Sequence, residues 1–452
     1  MQNVYIKTYG CQMNVYDSER MGELLEANGY KTTEELSLSD IIILNTCNIR
    51  EKAAEKIYSE LGRIRQYKDS RKKDGLETII AIAGCVAQAE GDEIKRRAPI
   101  VDIVIGPESY HHLPDMISDI KRKTGKKLSA QLDFTPNEKF DSLPKNRTAK
   151  GFSSFVTVQE GCDKFCTFCV VPYTRGKEYS RPMNDILHEI KNLTQQGIVE
   201  VSLLGQNVDA YHGKWINGNS ESETNLAQLI QEVSKIPEIK RIRYTTSHPN
   251  NFTQDIITQH GLNTKLMPYL HLPVQSGSNK ILQLMNRKHT RERYFEIIAN
   301  VRKERADIAL SSDFIVAFPS ETDQDFEDTM DLVRQIGFAQ SYSFKYSPRP
   351  GTPASLKDSI PDDVASHRLH QLQALLKTQQ LEFNQKFLGS VMPVLFESKG
   401  IRKTEQIVGK SPYLQAVIVD VPNGTKAEDY FGKILNIEIT TVLENTLFGE
   451  IS

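Results

Sequence analysis

The stretch DIIILNTC at residues 40–47 is an almost uninterrupted apolar run that ends on a cysteine. ETIIAIAGC at residues 77–85 repeats the pattern, and YIKTYGC at residues 5–11 also ends on a cysteine. Segments with helical periodicity follow these runs, for example at residues 17–29. Continuous apolar strands that alternate with helices are typical of a parallel sheet covered on both faces. We therefore predict an α/β domain with a parallel sheet at residues 1–118.

A second series of strands and helices follows. Six strand-like segments lie between residues 155 and 347, with helical patterns between them. Six βα units predict an open partial (β/α)6 barrel, short of the eight units that close one. We place this barrel at residues 148–380 and expect the polar, base-rich residues 119–147 to be a linker. Short strands without helices predict a small β-barrel at residues 381–450.

Composition and charge limit the class of protein. The chain has 452 residues with 58 acids and 56 bases, so its formal net charge is −2. Any surface for nucleic acid must therefore be local. No apolar run reaches the roughly 18 residues of a membrane span, and the start has no signal-peptide core, so no membrane partner is expected. Six cysteines are too few for a disulfide scaffold, which favours a reducing cytoplasm and thiols that bind metals or catalyse.

Three of the cysteines lie close together in the sequence. Cys162, Cys166 and Cys169 form a CxxxCxxC within GCDKFCTFC, directly after a predicted barrel strand, where barrel sites form. Thiolates suit zinc or an iron–sulfur cluster, and a fully ligated cluster or structural zinc takes four protein ligands. Three cysteines leave one position open for chemistry. A zinc loop completed by a distant histidine, such as His188 or His212, is the alternative.

The other three cysteines are far apart in the sequence, but each ends a predicted parallel strand. Adjacent strands lie about 4.8 Å apart and end at one edge of the sheet. We therefore expect Cys11, Cys47 and Cys85 to converge at the carboxyl edge, where α/β sheets bind ligands. This set again supplies three ligands and leaves one position open. Three inert buried thiols are the alternative.

Eight motifs follow one another along the chain: KTYGCQMNVYDSE, LNTCNIREKA, AGCVAQ, the CxxxCxxC, VVPYTRGKEYSRP, HLPVQSGS, SSDFIVAFPSET and SFKYSPRPGTPA. In this order they resemble the motifs of the radical S-adenosylmethionine (SAM) tRNA methylthiotransferases. The resemblance covers nearly the whole chain and includes a C-terminal barrel similar to the TRAM domain. It is closest to the bacterial branch that acts on N(6)-dimethylallyladenosine. Ala317 and Ser320 stand where the family usually has glycines, a departure that affects a loop and no cysteine.

The resemblance implies a reaction, two cofactors and several partners. The reaction is methylthiolation of carbon 2 of N(6)-dimethylallyladenosine at position 37 of tRNA, beside the anticodon. The CxxxCxxC cysteines would hold a [4Fe–4S] cluster that binds and cleaves SAM. Cys11, Cys47 and Cys85 would hold a second [4Fe–4S] cluster that takes part in sulfur transfer, so all six cysteines are candidate catalytic residues. We expect a cytoplasmic monomer that binds the tRNA anticodon loop with its prenylated adenosine and is reduced by a donor such as flavodoxin or ferredoxin.

Five further residues are candidate contacts to SAM or substrate: Phe168, Gln206, Asn207, Gln275 and Asp313. Phe168 directly precedes the last cysteine, and it either packs on the SAM adenine or fills space among its neighbours. The four polar residues end or lie in predicted barrel strands, where side chains contact ligands. Ordinary polarity of the fold is the alternative explanation for each of them.

Basic residues are candidate contacts to RNA. Arg175 and Arg181 are candidate clamps for phosphate or carboxylate groups, or members of a solvated loop. The segment NRKHTRER at residues 286–293 is one basic patch, and KGIRK at residues 399–403 together with Lys410 is another. A small β-barrel commonly binds single strands through stacking and charged loops, which suits an anticodon loop.

Two other functions stay open from the sequence. One is a methylthiotransferase that acts on a ribosomal-protein aspartate, although the PRPGTPA stretch favours the tRNA branch. The other is a non-catalytic iron–sulfur protein that binds RNA or carries sulfur. The second would not cleave SAM when reduced, whereas both methylthiotransferases would.

Overall fold

The computed structural model describes residues 1–47, 51–122, 129–134, 136–218, 220–401, 405–422 and 424–452. The chain divides into two units, of which the first contains residues 1–148, 160–165 and 169–179 and the second contains the remainder. The division runs through the CxxxCxxC, because Cys162 and Cys169 belong to the first unit and Cys166 to the second. None of the helices in the described residues has the length and apolar composition that a bilayer crossing requires.

The first unit is built on a parallel sheet. Its strands are β1 (Asn3–Tyr9), β2 (Lys31–Thr33), β3 (Ile41–Thr46), β4 (Ile79–Gly84), β5 (Ile103–Ile105) and β6 (Ser129–Gln131), in the spatial order β2-β1-β3-β4-β5-β6 with parallel pairing throughout. Its helices are α1 (Gln12–Ala27), α2 (Glu51–Lys73), α3 (Cys85–Arg97), α4 (Leu113–Lys121), α5 (Pro136–Ser142) and α6 (Val171–Thr174). In a doubly wound sheet of this order, ligands bind at the carboxyl edge between β1 and β3, where the winding reverses.

Strand β3 shows why this sheet is buried on both faces. Ile41 and Ile43 pack into one core with α1 and α4, whereas Ile42 and Leu44 pack into the opposite core with α2 and α3. All four side chains are fully buried. Each contributes about 1.5–3 kcal/mol relative to an exposed position. The predicted parallel sheet covered on both faces is confirmed.

The segment that we expected to be a linker contributes a strand and a helix to the first unit. β6 pairs in parallel with β5, and α5 carries the fully buried Lys139. The sequence of β6, SAQ, contains no apolar run by which a buried strand is recognised. The boundary residues of the domains stay predictions.

The second unit begins with an open barrel. Its six parallel strands are β7 (Ser153–Thr157), β10 (Glu200–Leu204), β13 (Arg241–Thr245), β14 (Tyr269–His271), β15 (Ala309–Val316) and β16 (Gln340–Lys345). Two further pairs of short strands are β8 (Gln159–Glu160) with β9 (Tyr179–Ser180), and β11 (Lys214–Asn217) with β12 (Ser220–Glu223). Each of β8 and β9 has one residue in each unit. The parallel sheets β7-β10-β13 and β14-β15-β16 are joined by a parallel bridge between Ile242 and Leu266. The predicted partial barrel of six parallel strands is confirmed.

Helices cover the outside of this barrel. They are α7 (Met183–Thr194), α8 (Leu226–Ser234), α9 (Gln254–Leu262), α10 (Asn279–Leu284), α11 (Arg291–Glu304), α12 (Asp323–Ile336) and α13 (Asp362–Gln385). The largest apolar core of the chain lies between these helices and the strands. Polar residues such as Ser202, Arg243 and Asp313 alternate along the strands with residues of that core, so they point to the other face of the strands.

The C-terminal strands close into a small barrel, as predicted. They are β17 (Val391–Lys399), β18 (Gln406–Lys410), β19 (Ala416–Asp420), β20 (Ile434–Val442) and β21 (Thr446–Ile451), in the order β17-β18-β19-β21-β20. Closure leaves no strand edge exposed for pairing with another chain.

Two buried arginines of β13 fasten this closed barrel to the open one. Arg241 donates to the Pro393 carbonyl oxygen at 2.7 Å, and Arg243 donates to the Ser411 carbonyl oxygen at 2.9 Å. Glu200 of β10 lies 3.1 Å from Arg243 Nε and compensates the buried charge. The two barrels are therefore joined by charge-assisted hydrogen bonds as well as by the chain.

Candidate metal centres

Cys11, Cys47 and Cys85 lie at the carboxyl ends of three adjacent strands. Cys11 stands between β1 and α1, Cys47 follows β3, and Cys85 is the first residue of α3 after β4. The side chains of Cys11 and Cys47 hydrogen-bond each other, and Cys85 interacts electrostatically with Cys11. The structure thus brings three residues that are remote in the sequence together at the edge where the winding of the sheet reverses.

Glycines allow the chain to pass this close to the cysteines. Gly10 has a φ of +131°, and a Cβ added there would lie 2.2 Å from Cys47 Cβ. Gly84 has a φ of +89°, and its Cβ would lie 2.4 Å from Asn45 Oδ1. Only glycine combines this left-handed backbone with the close approach. The Gly-Cys pairs at 10–11 and 84–85 therefore shape the site.

The charges around the first cysteine set favour thiolates. The pKa of Cys11 is lowered to about 6, first by the hydrogen bond with Cys47 and, against the effect of burial, by the Arg175 charge and the backbone at the start of α1. Burial raises the pKa of the Cys85 thiol, and Arg175 opposes that rise. The thiolate is the form that binds metals. Three convergent sulfur donors beside a fixed cation fit a thiolate-bound cluster.

A buried ion network holds Arg175 in this position. Its Nη2 lies 2.5 Å from Asp17 Oδ2 and its Nη1 lies 3.3 Å from Glu160 Oε1, while Lys139 Nζ lies 2.6 Å from Glu160. Burial and the Glu160 charge raise the pKa of Glu108 well above its usual range. Although burial opposes it, Lys139 and Arg175 hold the pKa of Glu160 below its ordinary value. We expected Arg175 to be a clamp or part of a solvated loop, and the structure instead buries it beside the cysteines.

The CxxxCxxC follows β8 and precedes α6. In the first unit, the backbone N–H of Val171 donates to Cys169 Sγ at 3.5 Å, and Cys162 is half-buried. In the second unit, Cys166 is buried. Arg181, the other expected clamp, is buried in the second unit and donates to Glu189 at 2.8 Å, so its charge is already compensated.

Arg287 is the charged side chain that faces Cys166 within the second unit. Its Nη1 lies 3.6 Å from the Cys166 Sγ, and its Nη2 donates to the Pro273 carbonyl oxygen. Arg287 and His289 are both buried, although we expected residues 286–293 to form a basic surface for RNA. This position of Arg287 could not be predicted, because the charge of a residue does not show which way its side chain points. The buried Nε of Arg287 has no acceptor among the described residues, so the surroundings of Cys166 fit a bound group with acceptor atoms.

Phe168 packs against a small apolar cluster in the second unit. The cluster consists of Ile281, Met285, Phe318 and Ala354, and Phe168 is partly buried against it. This packing accounts for one of the two roles that we considered. A contact with the SAM adenine stays a prediction.

The polar candidates lie near the carboxyl ends of the barrel strands. Gln206 and Asn207 follow β10, and the buried Asn207 Oδ1 has no hydrogen-bond partner among the described residues. The backbone N–H of Gln275, which comes after β14, donates to the Asp313 carbonyl oxygen at 2.9 Å. The Asp313 side chain is 29% exposed and lies 3.7 Å from His271 Nε2. The positions suit ligand contacts, and the assignments to SAM or substrate stay predictions.

Three family models match the chain in succession. The Uncharacterized protein family UPF0004 matches residues 3–106, the Radical SAM superfamily matches residues 156–333, and the TRAM domain matches residues 385–452. The three spans fall on the parallel sheet, the open barrel and the closed barrel. The first match contains Cys11, Cys47 and Cys85, and the second contains the CxxxCxxC.

Relatives and solved structures are similar over most of the chain. It is 56% identical, over 100% of its length and 99% of theirs, to the tRNA-2-methylthio-N(6)-dimethylallyladenosine synthases of Rickettsia bellii (strain RML369-C) and Rickettsia canadensis (strain McKiel). The radical SAM methyltransferase TsrM from Kitasatospora setae, with cobalamin and a [4Fe–4S] cluster bound, has a TM-score of 0.57 at 11% identity over 78% of this chain and 74% of TsrM. The cobalamin-dependent radical enzyme OxsB has a TM-score of 0.54 at 13% identity over 84% of this chain and 58% of OxsB. At such identities the solved structures show the fold alone.

Proposed function

We infer the roles of the six cysteines from the premise that the chain belongs to the tRNA-2-methylthio-N(6)-dimethylallyladenosine synthases. It is a radical SAM tRNA methylthiotransferase, and it adds a methylthio group to carbon 2 of N(6)-dimethylallyladenosine at position 37 of tRNA. The main support for these cysteine roles is that Cys11, Cys47 and Cys85 converge at one edge of the first sheet.

The target bond explains why cysteines rather than acid–base residues dominate the site. The C–H bond at carbon 2 of adenine is aromatic and not acidic, so general acid–base groups do not break it readily. A cofactor carries such a step, and the protein supplies binding, orientation and electrostatics. When bound, SAM and a [4Fe–4S] cluster supply one-electron radical chemistry. Cys162, Cys166 and Cys169 would hold that cluster by three irons and leave the fourth iron to SAM.

The first unit would hold the second [4Fe–4S] cluster. Cys11, Cys47 and Cys85 would supply three thiolates to that cluster and leave one position free of protein ligands, at which sulfur for the transfer could bind. Because Gly10 has no Cβ, the backbone can pass close to Cys47 without a clash. The positive charge of Arg175 offsets the negative charge of the thiolates. The protein thus supplies the same kind of three-cysteine site twice.

tRNA is the macromolecular partner of this enzyme. We propose that the anticodon loop is the part bound and that the adenosine leaves its stack to reach the site, since enzymes that modify a base extrude it. The two described lysines of the C-terminal patch are paired with acids, Lys399 with Glu428 at 2.5 Å and Lys410 with Glu397 at 2.9 Å. The rest of that patch includes residues 402–403, which lie outside the described residues. Base stacking on the closed barrel therefore matters more to our proposal than its net charge.

The remaining partners follow from the chemistry. Radical cleavage of SAM needs one electron from outside the protein, and we propose that a flavodoxin or ferredoxin supplies it. We propose a monomer that works in the cytoplasm, where tRNA is available and thiols stay reduced.

Two alanine variants test the roles of the cysteines. In anaerobically reconstituted protein reduced with dithionite, Cys166→Ala should abolish the formation of deoxyadenosine from SAM and leave about four irons per chain. Cys47→Ala should also leave about four irons but should still cleave SAM and fail to form the methylthio nucleoside. Each variant is the control for the other. Normal product yield from Cys47→Ala would contradict the proposed second cluster.

The competing functions predict other results in the same assays. A deletion strain with unchanged tRNA nucleosides and a ribosomal protein that lacks its methylthio group would point to an aspartate substrate. Reduced and reconstituted wild-type protein that forms no deoxyadenosine would point to a non-catalytic iron–sulfur protein. Loss of the methylthio nucleoside from the tRNA of the deletion strain supports the proposed function.

A further inference from the structure

Arg287 is buried beside Cys166 with part of its hydrogen-bonding capacity unused. Its Nη1 lies 3.6 Å from Cys166 Sγ, and Nη2 donates to the carbonyl oxygen of Pro273. Its Nε–H has no acceptor among the described residues, although Arg287 is only 5% exposed. Leaving a buried donor unsatisfied costs about 1–3 kcal/mol. Such a donor beside a metal ligand suits an acceptor that arrives with the bound group, such as the sulfide of a cluster.

Arg175 has the corresponding position at the other cysteine set. Within the first unit its positive charge acts electrostatically on the thiols of both Cys85 and Cys11. Its two terminal nitrogens also pair with Asp17 and Glu160, at 2.5 and 3.3 Å. One buried arginine therefore stands against each set of cysteines, and each arginine lies in the same unit as the cysteine that it faces.

A cation in such a position favours the reduced form of an iron–sulfur cluster. Reduction adds one negative charge to a site that already carries three thiolates, and a nearby guanidinium stabilises that extra charge. Hydrogen bonds to cluster sulfur and the net charge around the cluster are among the factors that set its reduction potential. Arginine stays protonated at every physiological pH, so its charge is permanent.

The two arginines differ in how far other charges compensate them. Arg175 is paired with two carboxylates, which weaken its field at Cys11 and Cys85. Arg287 makes no ion pair with a carboxylate among the described residues. We therefore expect the larger effect at the CxxxCxxC.

We propose that Arg287 and Arg175 are positioning residues, each of which donates to the sulfur of its own cluster and raises the reduction potential of that cluster independently of the other. The proposal rests on the cluster assignment given above. The electron comes from the flavodoxin or ferredoxin partner, or from dithionite in the assay, and goes to the cluster. Arg287 thus serves electron transfer, and not the RNA surface that its basic segment suggested.

The test measures the midpoint potential of each cluster separately. In full-length protein, the three cysteines of one set are replaced by alanine, and the remaining cluster is titrated with dithionite and followed by electron paramagnetic resonance. Arg287→Met should make the midpoint of the CxxxCxxC cluster more negative, whereas Arg287→Lys, which keeps the charge, should stay near the wild-type value. Arg175→Met should shift only the other cluster. Arg293→Met is the matched control, because Arg293 lies in the same basic segment, is 47% exposed and should shift neither midpoint.

Iron and sulfide are counted in every sample. An unchanged midpoint in fully loaded Arg287→Met overturns the proposal, and a simultaneous loss of tRNA affinity would make Arg287 an RNA contact. If Arg287→Met holds no iron, the midpoint potential is measured in Arg287→Gln instead, because glutamine keeps an N–H donor and removes the charge. An unchanged midpoint or a loss of iron in that second variant also overturns the proposal. If reconstituted wild-type protein contains no iron, the cluster assignment itself is refuted. That outcome differs from an unchanged midpoint in a protein that contains its clusters.

Discussion

Replacing Gly10 by alanine tests the first cysteine set with a single added methyl group. The new Cβ would lie 2.2 Å from Cys47 Cβ, whereas ordinary contact begins at 3.4 Å, so the two chain segments must separate by about 1 Å. Metal–ligand distances tolerate only about 0.2 Å. The φ of +131° adds strain of about 1–3 kcal/mol for a residue other than glycine. We expect Gly10→Ala to lose the cluster of the first unit and to keep the cluster of the CxxxCxxC.

The assay compares iron content and two products in anaerobically reconstituted protein. Gly10→Ala should bind about four irons per chain in place of about eight, form deoxyadenosine and produce no methylthio nucleoside. Gly29→Ala is the matched control, because Gly29 has a φ of +84° in the same unit but no atom within 4 Å of the added Cβ. The control carries the backbone strain without the contact, so it should load fully. A Gly10→Ala protein with the full iron content and normal methylthiolation would refute the reasoning.

Three further variants test the buried charges. Lys139→Met removes the closer of the two cations paired with Glu160 and should lower the free energy of unfolding of the first unit by about 3–5 kcal/mol, measured by hydrogen exchange of the sheet amides. The difference in unfolding free energy between the wild type and Lys139→Met should become smaller below about pH 4. Lys139 helps to keep the pKa of Glu160 low, and its attraction to the Glu160 carboxylate is lost when that carboxylate is protonated. Burial raises the pKa of Asp209 to about 7, so the second unit should lose up to about 4 kcal/mol of stability as the pH rises from about 4 to 7. Asp209→Asn should remove that dependence in urea unfolding at pH 5 and 8. Arg243→Met should speed protease cleavage between α13 and β17, and equal rates would show that its carbonyl contacts do not fasten the barrel.

The convergence of the first cysteine set was predictable because it depends on one rule of parallel sheets. Apolar runs that end in Cys11, Cys47 and Cys85 suffice to place three thiols at one edge, whatever the side chains between them. The order of the strands was not predictable, and it is this order that makes the three strands neighbours. β2 and β6 were missed because their sequences, KTT and SAQ, contain no apolar run.

The burial of Arg175 and Arg287 could not be predicted from the sequence. Arg175 and Arg287 lie in segments rich in bases, and a basic segment is usually a solvated surface. Burying either side chain requires partners from distant parts of the chain, Asp17 and Glu160 for one and Pro273 for the other. Because local composition contains no information on such partners, the role of each arginine became visible only in three dimensions.

The docking of the closed barrel on β13 has a consequence for substrate choice. A binding module on a flexible tether raises the local concentration of its ligand and accepts many separations between the two sites. Arg241 and Arg243 remove that freedom, since both bind backbone carbonyl groups of the barrel directly. A nucleotide bound to the closed barrel would therefore lie at a fixed distance from β13, the strand that contains these arginines. If the closed barrel binds RNA as we propose, selection among RNAs would depend on whether the distance between two points of the RNA matches this fixed distance.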